Sequence, residues 1–258
     1  MKIAVQMDVS VLGCGWLGKS LAISLIEKGF SVNGSTTSQD KIDDLKSVGI
    51  SPFLVDISLD KKIEDFLKSD ILIVAITSKS EDDFKRLISK VEKSQIQKVI
   101  FISSTSVYPT LNKIMTEEDQ TNNKPLANIE RLFIQNNSFK TTIIRFAGLF
   151  GGVRNPANWF ENGRKIPQPN GFINMIHRED CIAVIEEIIQ QNCFGEIFNA
   201  CANHHPKRKE FYTKAKLSKG FEIPEFVENE DFQWKIISSK KVQHVLDYTF
   251  IYDDLLDV

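Results

Sequence analysis

The sequence predicts an α/β fold built on a doubly wound parallel β-sheet. An apolar segment that begins at Val9 leads into a glycine-rich turn over residues 13–18 and then into a helical pattern. Apolar segments then alternate with helical patterns as far as residue 102, with short connections between them. Residues 70–77 are apolar almost throughout, which is typical of a strand covered by helices on both faces. Together these observations predict crossover units and a parallel sheet.

The glycine-rich turn has the spacing of a dinucleotide-binding motif. Its residues are Gly13, Cys14, Gly15, Trp16, Leu17 and Gly18. The first glycine allows the tight turn, the second lets the backbone approach a pyrophosphate, and the third lets the helix lie close to the strand. The N–H groups at the start of the helix then interact with the anion. We therefore expect these residues to bind a cofactor, with the Cys14 thiol acting as a small packing group.

The following segments are assigned in order along the chain. Strands are predicted at Phe30–Ser35, Ile50–Ile57, Asp70–Thr77 and Lys98–Ile102, and helices at Gln39–Val48, Leu59–Lys68 and Asp82–Ser94. Since parallel strands end at the same edge of a sheet, we expect Asp56, Ile57, Ile76 and Thr77 at the edge where the glycine turn lies. Asp56 and Ile57 are expected to contact the adenine of the cofactor.

Residues 35–37 predict which dinucleotide binds. An acidic residue that binds the adenosine ribose 2′-hydroxyl of NAD belongs about 20 residues after the glycine turn. Ser35, Thr36 and Thr37 stand there instead. Small hydroxyl side chains leave room for a 2′-phosphate and can donate to it, so the sequence favours NADP, with NAD as the second choice. The alternative is that these hydroxyls only start the next helix.

Composition and charge exclude several classes of protein. The chain has 258 residues, of which 42% are apolar, so it can bury a core without a metal or a disulfide. A formal net charge of −2 gives no reason to expect nucleic acid or an anionic membrane as a partner. No apolar run approaches the roughly 20 residues that span a bilayer, and the N-terminus lacks a signal-peptide pattern. The cysteines form no CxxC pair, and a cytoplasmic protein is expected.

Four further motifs resemble those of the extended short-chain dehydrogenases/reductases, the group of sugar-nucleotide epimerases and dehydratases. They are Ser103–Pro109 (SSTSVYP), Thr142–Gly151 (TIIRFAGLFG), Asn174–Asp180 (NMIHRED) and Gly195–Asn199 (GEIFN). The resemblance covers residues 9 to 200. It implies a Rossmann fold, a bound NAD(P) and a small polar substrate such as a nucleotide sugar.

The resemblance also implies how the chain is divided. Residues 1–150 would form the NAD(P)-binding core. Residues 151–258 would add the remaining core elements, at 172–200, and a small lobe over the substrate side. The tail from Phe221 shows no helix of convincing length and is expected to cap this side.

The chain departs from the resembled family at the catalytic pair. The family uses a Tyr-x-x-x-Lys pair on the helix after the fifth strand, where the lysine lowers the pKa of the tyrosine. Aligning Glu130 with the family's glutamate on that helix places Asn122 and Leu126 at these positions. Neither side chain can transfer the proton. The motifs therefore imply the binding of a dinucleotide but leave the activity open.

Ser104 and Tyr108 are the remaining candidate catalytic residues. Ser104 stands where a family hydroxyl binds the reacting oxygen, although a strand-end hydroxyl that bonds the backbone would give the same pattern. Tyr108 lies close to the site, but the family usually uses this tyrosine structurally. One Tyr-x-x-x-Lys does occur, from Tyr212 to Lys216, on a later helix. There we expect the tyrosine to pack and the lysines to be solvated.

The other polar candidates have simpler interpretations. We expect His177 to be structural and Asp180 to cap a helix at Cys181–Gln191. His204 and His205 have no acidic or cysteine ligands at useful spacing, so no metal site is expected.

Two functions of different classes remain. The first is an NADP(H)-preferring oxidoreductase or epimerase/dehydratase in which Ser104 orients the substrate and Tyr108 or water serves as the acid/base. Arg154 and Arg164 would suit an anionic substrate, and a solvated loop explains them as well. The second is a catalytically silent NAD(P)-binding sensor or scaffold, which Asn122 and Leu126 favour. The sequence leaves the substrate and the oligomeric state open.

Overall fold

The computed structural model describes residues 7–160, 163–227 and 232–257, so residues 1–6 of the predicted cofactor domain lie outside the described part. The strands are β1 (Asp8–Leu12), β2 (Ser31–Thr36), β3 (Ser51–Leu54), β4 (Ile71–Val74), β5 (Lys98–Ser104), β6 (Lys113–Met115), β7 (Lys140–Phe146), β8 (Gly148–Phe150), β9 (Met175–His177), β10 (Ile197–Ala200) and β11 (Lys235–Ile237). The helices are α1 (Trp16–Glu27), α2 (Ile42–Ser47), α3 (Glu81–Val91), α4 (Pro125–Ile134), α5 (Arg178–Gln190), α6 (Arg208–Leu217) and α7 (Lys240–Leu246).

The central sheet has seven strands in the order β10-β7-β5-β4-β1-β2-β3. β1 pairs in parallel with β2 and with β4, and the pairs β2–β3 and β4–β5 are also parallel. The strand order therefore runs outward from β1 to β3 and then resumes at β4 on the other side of β1. This order confirms the predicted doubly wound sheet, and it is the Rossmann arrangement. Ligands of such sheets bind where the order reverses, and the glycine turn follows β1 at that point.

Two compact units can be distinguished by their packing. Unit 1 comprises the residues up to Ser103 together with Asn123–Ile144 and Ile188–Ile197. Unit 2 comprises Ser104–Asn122, Arg145–Glu187 and the residues from Phe198 onward. The predicted division of function at residue 150 stays a prediction.

Aromatic side chains organise the core of unit 1. The Phe101 ring stacks on Phe133 with 4.8 Å between ring centroids and meets the edge of Phe84 at 5.7 Å. All three rings are buried. In unit 2, Phe211 and Tyr212 of α6 are buried in a separate cluster with Phe150 of β8.

The helix predicted over residues 59–68 is wrong. This segment forms turns, in one of which the Leu67 N–H donates to the Ile63 carbonyl at 3.1 Å. Ile63, Phe66 and Leu67 are nevertheless buried. The buried Ser10 hydroxyl of β1 donates to the Phe66 carbonyl at 2.5 Å and so satisfies a carbonyl that a helix would use. The spacing of apolar residues here indicates burial but not a helix.

The C-terminal tail contains more regular structure than the sequence predicts, because it forms β11 and α7. The prediction that Asp180 caps a helix from Cys181 is also wrong, since α5 begins at Arg178. The fully buried Asp180 carboxylate instead accepts hydrogen bonds from the Tyr248 hydroxyl at 2.7 Å and from the N–H groups of Ile251 at 2.7 Å and Tyr252 at 3.1 Å. Asp180 therefore anchors the tail of unit 2.

No helix in the described part of the chain is long and apolar enough to cross a membrane. Nor do the described ranges contain a group of three or more His, Cys, Asp or Glu side chains that could hold a metal ion. The cysteines are free thiols. The cytoplasmic location stays a prediction.

Replacing Asp180 should destabilise the protein. In Asp180→Asn one carboxylate oxygen becomes an amide donor that faces N–H and O–H donors, and we expect the free energy of unfolding to fall by about 2 kcal/mol or more. Asp257→Asn is the matched control, because Asp257 makes an exposed pair with Lys214 at 3.4 Å and should change stability by less than about 0.5 kcal/mol. Urea denaturation of both variants measures the difference. Equal stabilities would contradict the anchoring role of Asp180.

Candidate functional site

Two of the three glycines in the turn are required by packing. A Cβ on Gly18 would lie 2.2 Å from the Gly13 carbonyl oxygen, which is far inside van der Waals contact. A Cβ on Gly13 would lie 2.5 Å from Ile76 Cγ2, and Gly13 also has a φ of +98°, which disfavours other residues. These glycines let α1 start directly after β1.

Gly15 has no such requirement. A Cβ there would meet no atom within 4 Å, and its φ of −84° is accessible to any residue. Gly15 is also the N-cap of α1. Neither packing nor backbone conformation explains a glycine at this position. Space in front of the backbone at a helix N-terminus is what the approach of a pyrophosphate requires, so the turn fits a dinucleotide.

Ser35 at the end of β2 fixes the turn. Its hydroxyl oxygen accepts the Gly13 N–H at 2.8 Å, and its carbonyl accepts the Cys14 N–H at 2.7 Å. The Gly15 N–H donates to the Gly13 carbonyl at 2.8 Å. The first N–H groups of the turn are thus used inside the protein, so the donors for an anion are those of the first turn of α1, at residues 16–18. Trp16, Leu17 and Gly18 would therefore hold the pyrophosphate.

Cys14 is a packing residue, as the sequence suggests. Its side chain is buried, and its sulfur would lie 2.7 Å from a Cβ on Gly34, so Gly34 makes room for it. Burial raises the pKa of the Cys14 thiol to about 12. The thiol is therefore protonated at neutral pH and is a poor nucleophile.

The residues expected to contact the adenosine differ in exposure. Ser35 and Thr36 are buried, and Thr36 Oγ1 accepts the Ser38 N–H at 3.1 Å, whereas Thr37 is exposed. Lys19 of α1 forms a salt bridge with Asp44 of α2 at 2.6 Å. The hydroxyls of Ser35 and Thr36 thus bond backbone groups, and the exposed Thr37 is the one that faces solvent.

The ends of β3 and β4 supply the other predicted contacts. Asp56 Oδ1 accepts hydrogen bonds from the Ser58 N–H at 2.9 Å and the Ser58 hydroxyl at 2.6 Å, which lower the pKa of Asp56. Ile57 and Ile76 pack partly buried against the core of unit 1, and Thr77 is exposed. Asp56 therefore remains ionised, and its carboxylate can accept a hydrogen bond from a hydroxyl group of a ligand.

The helix that would bear the family catalytic pair starts later than the sequence comparison predicts. α4 begins at Pro125, so Asn122 precedes the helix and only Leu126 lies on it. Proline is favoured at the first position of a helix and disfavours helical geometry in its predecessor, and Lys124 is accordingly extended. The Asn122 side chain donates to the Ser106 carbonyl at 3.0 Å, and Leu126 packs against the core of unit 1. This chain therefore lacks the tyrosine and the lysine of the resembled family, and it also lacks the helical turn on which that tyrosine would stand.

Ser103 and Ser104 at the end of β5 have different partners. The buried Ser103 hydroxyl donates to the buried Glu130 carboxylate of α4, within unit 1. In unit 2, the partly exposed Ser104 oxygen accepts the Ser106 N–H at 3.2 Å. Ser104 is therefore the hydroxyl that keeps a hydrogen for another acceptor.

Tyr108 lies in a buried network of unit 2. Its hydroxyl donates to Asn199 Oδ1 at 2.9 Å and accepts a hydrogen bond from Arg145 at 2.7 Å. Burial raises the pKa of the Tyr108 phenol, although the Arg145 cation acts in the opposite direction. Glu117 accepts the Asn199 N–H at 2.7 Å and extends the network. With its side chain only 2% exposed, Tyr108 is better suited to holding its neighbours than to transferring a proton.

The later Tyr-x-x-x-Lys pair is structural. Tyr212 is buried as predicted, but the expectation that Lys216 is solvated is wrong. Lys216 is buried, and its ammonium donates to the Ala157 carbonyl at 3.0 Å. Sequence patterns around a lysine do not reveal such a contact with a carbonyl.

The buried His177 ring lies 3.7 Å from the ring of Tyr252, centroid to centroid, and burial lowers the pKa of His177.

Comparison with known proteins identifies the cofactor domain. Residues 8–126 match the family model of the NAD binding domain of 6-phosphogluconate dehydrogenase. The matched range contains the glycine turn and the ends of β2, β3 and β4. This chain has an NAD-binding Rossmann domain.

Other relatives extend over nearly the whole chain. Protein YeeZ of Escherichia coli K12 is 29% identical over 269 residues, which cover 96% of this chain and 97% of YeeZ. A putative NAD-dependent epimerase/dehydratase from Methylobacillus flagellatus has a TM-score of 0.78 at 22% identity, covering 98% of this chain and 96% of its own. UDP-glucuronic acid 4-epimerase from Bacillus cereus, solved with NAD, has a TM-score of 0.79 at 16% identity, covering 97% and 95%. Both structures have the fold of this chain.

The network around Tyr108 predicts a loss of stability on removal of its hydroxyl. In Tyr108→Phe, buried groups of Asn199 and Arg145 lose a partner, and we expect the free energy of unfolding to fall by about 1–3 kcal/mol. Tyr252→Phe serves as the control, since its hydroxyl bonds the exposed carboxylate of Glu179 at 2.9 Å. Denaturant unfolding measures both. If Tyr108→Phe is no less stable than the control, the structural role of this hydroxyl is refuted.

Proposed function

We propose that this protein is an NAD(P)(H)-dependent oxidoreductase or epimerase/dehydratase that acts on a small polar substrate. The space in front of Gly15 is the observation that supports the cofactor site most directly, because no packing or conformational need accounts for that glycine. The relatives with this fold include an epimerase solved with NAD and named for a UDP sugar. A nucleotide sugar is therefore the first substrate class to test.

NADP(H) is the proposed preferred cofactor. The residues that end β2 are Ser35 and Thr36, followed by Thr37, and an acidic side chain that would select the ribose 2′-hydroxyl does not stand among them. Thr37 is exposed and can donate to a 2′-phosphate. Lys41 follows in the next helical segment with a positive charge.

Ser104 is the proposed substrate-orienting group. When bound, the nicotinamide of the cofactor supplies or accepts a hydride. The Ser104 oxygen already accepts a backbone N–H, so its hydroxyl hydrogen is available to a carbonyl or hydroxyl oxygen of the substrate. Asn122 and Leu126 cannot transfer a proton, so the proton would pass to water or to an ionisable group of the substrate.

A second candidate is a nucleotide-binding sensor or scaffold without turnover. The start of α4 at Pro125 favours it, because this start removes the helical turn on which the family tyrosine would stand. The glycine turn of unit 1 is complete all the same. Binding and chemistry are therefore separable in this chain.

Gly15→Asp should abolish dinucleotide binding while preserving the fold. Aspartate is a good N-cap residue and its φ is unstrained here, but its charge would oppose the pyrophosphate. We expect saturable thermal stabilisation by NADPH in the wild type and none in Gly15→Asp, with similar melting temperatures for the free proteins. Gln95→Asp adds the same charge at an exposed position and should bind normally. NADPH binding by Gly15→Asp at wild-type affinity would contradict the assigned site.

Titration with NADPH, NADH, NADP and NAD ranks the affinities of the cofactors, and we expect the phosphorylated forms to bind more tightly.

Enzymatic activity separates the two candidate functions. A screen of UDP sugars and small carbonyl compounds measures NADPH absorbance and detects product epimers by chromatography. Turnover that Ser104→Ala reduces about 10-fold or more supports the enzyme. Tight cofactor binding with no turnover across the screen supports the sensor.

A further inference from the structure

A lysine from the C-terminal tail binds the turn that follows Ser104. Residues 105–107 form one turn of 3-10 helix after β5. The Lys235 ammonium donates to the Thr105 carbonyl at 3.1 Å and to the Tyr108 carbonyl at 2.8 Å, at the start of the turn and just beyond its end. All these groups belong to unit 2. A cation on such carbonyls stabilises the turn, and hydrogen bonds from a charged donor are stronger than neutral ones.

The backbone of Lys235 is fixed independently. β11 pairs in parallel with β6, with residues 235–237 opposite residues 113–115. The Asn174 side chain forms two hydrogen bonds with the backbone of the same strand. Its amide nitrogen donates to the Lys235 carbonyl at 2.9 Å, and its oxygen accepts the Ile237 N–H at 2.8 Å. The lysine therefore extends from a strand that is bonded on more than one side.

The conformation of the turn sets the direction of the Ser104 hydroxyl. The Ser104 oxygen accepts the Ser106 N–H at 3.2 Å, which makes Ser104 the cap of the turn. A hydroxyl that accepts from the backbone directs its hydrogen elsewhere. If the turn opens, the Ser106 N–H moves and the Ser104 hydroxyl loses this orientation.

We propose that Lys235 is a positioning residue that fixes the Ser104 hydroxyl for the oxygen of a polar substrate. The tail strand β11 is then part of the candidate catalytic site, although it lies about 130 residues after Ser104 in the chain. This inference rests on the proposed function for the role of Ser104. In this role Lys235 holds Ser104 so that its neutral hydroxyl donates a hydrogen bond to a carbonyl or hydroxyl oxygen of the substrate.

Amide hydrogen exchange tests the contact in the full-length protein. The amides of Ser106 and Tyr108 report the turn, because the first donates to Ser104 and the second to the Thr105 carbonyl. We expect Lys235→Met to speed their exchange about 10-fold or more, and Lys235→Arg to restore it to within about twofold. Lys219→Met, at an exposed lysine of the same unit, should change nothing. Exchange in Lys235→Met that matches the wild type, or that rises equally throughout unit 2, would overturn the proposal.

Kinetics test the positioning role with any substrate that the screen identifies. Lys235→Met and Ser104→Ala should each lower kcat/KM, and the double variant should lose little more than the worse single variant, because both changes act on one hydroxyl. Additive losses would overturn the positioning role. NADPH titration of Lys235→Met distinguishes the two proposals, since cofactor binding should be unchanged. If NADPH binds neither this variant nor the wild type, the proposed function fails. The hydrogen-exchange result still shows whether Lys235 stabilises the turn.

Discussion

The close approach of backbone to backbone at the glycine turn is the constraint on which unit 1 depends. Helix α1 starts so near the end of β1 that a Cβ on Gly18 would lie 2.2 Å from the Gly13 carbonyl oxygen. This placement buries Leu21 and Leu25 of α1 completely. Gly15 is the glycine of the turn that neither this packing nor its φ requires, and the proposed pyrophosphate site lies in front of it.

The proposed binding and the proposed chemistry depend on different parts of this chain. The proposed cofactor site consists of the turn and of Ser35, which fixes the turn through two hydrogen bonds. The family acid/base pair depends on the first turn of the helix after β5, and Pro125 moves the start of that helix beyond Asn122. The Tyr108 hydroxyl already bonds Asn199 and Arg145, so it is less suited to replacing the missing tyrosine. A reaction here would therefore depend on hydroxyl orientation more than on a side-chain proton donor.

Local patterns predicted the sheet and the glycine turn because both are encoded by neighbouring residues. The alternation of apolar segments and helical patterns predicts a doubly wound parallel sheet, and the three glycines have fixed offsets. The failures are long-range. Asp180 resembles a helix cap in sequence, but its partners lie about 70 residues away in the tail. No sequence pattern near Lys235 or Thr105 indicates that the lysine contacts the Thr105 carbonyl.

A two-dimensional NMR titration of the protein with NADPH, observed through backbone amides, tests whether the glycine turn binds the cofactor. We expect saturable shifts concentrated at residues 16–18 and near Thr37. Smaller changes are expected at Cys14 and Gly15, whose N–H groups already donate to the Ser35 carbonyl at 2.7 Å and to the Gly13 carbonyl at 2.8 Å. Such a pattern would place the pyrophosphate on the first turn of α1. Shifts that are absent at millimolar NADPH, or that cluster away from the glycine turn, would show that this turn does not hold the cofactor.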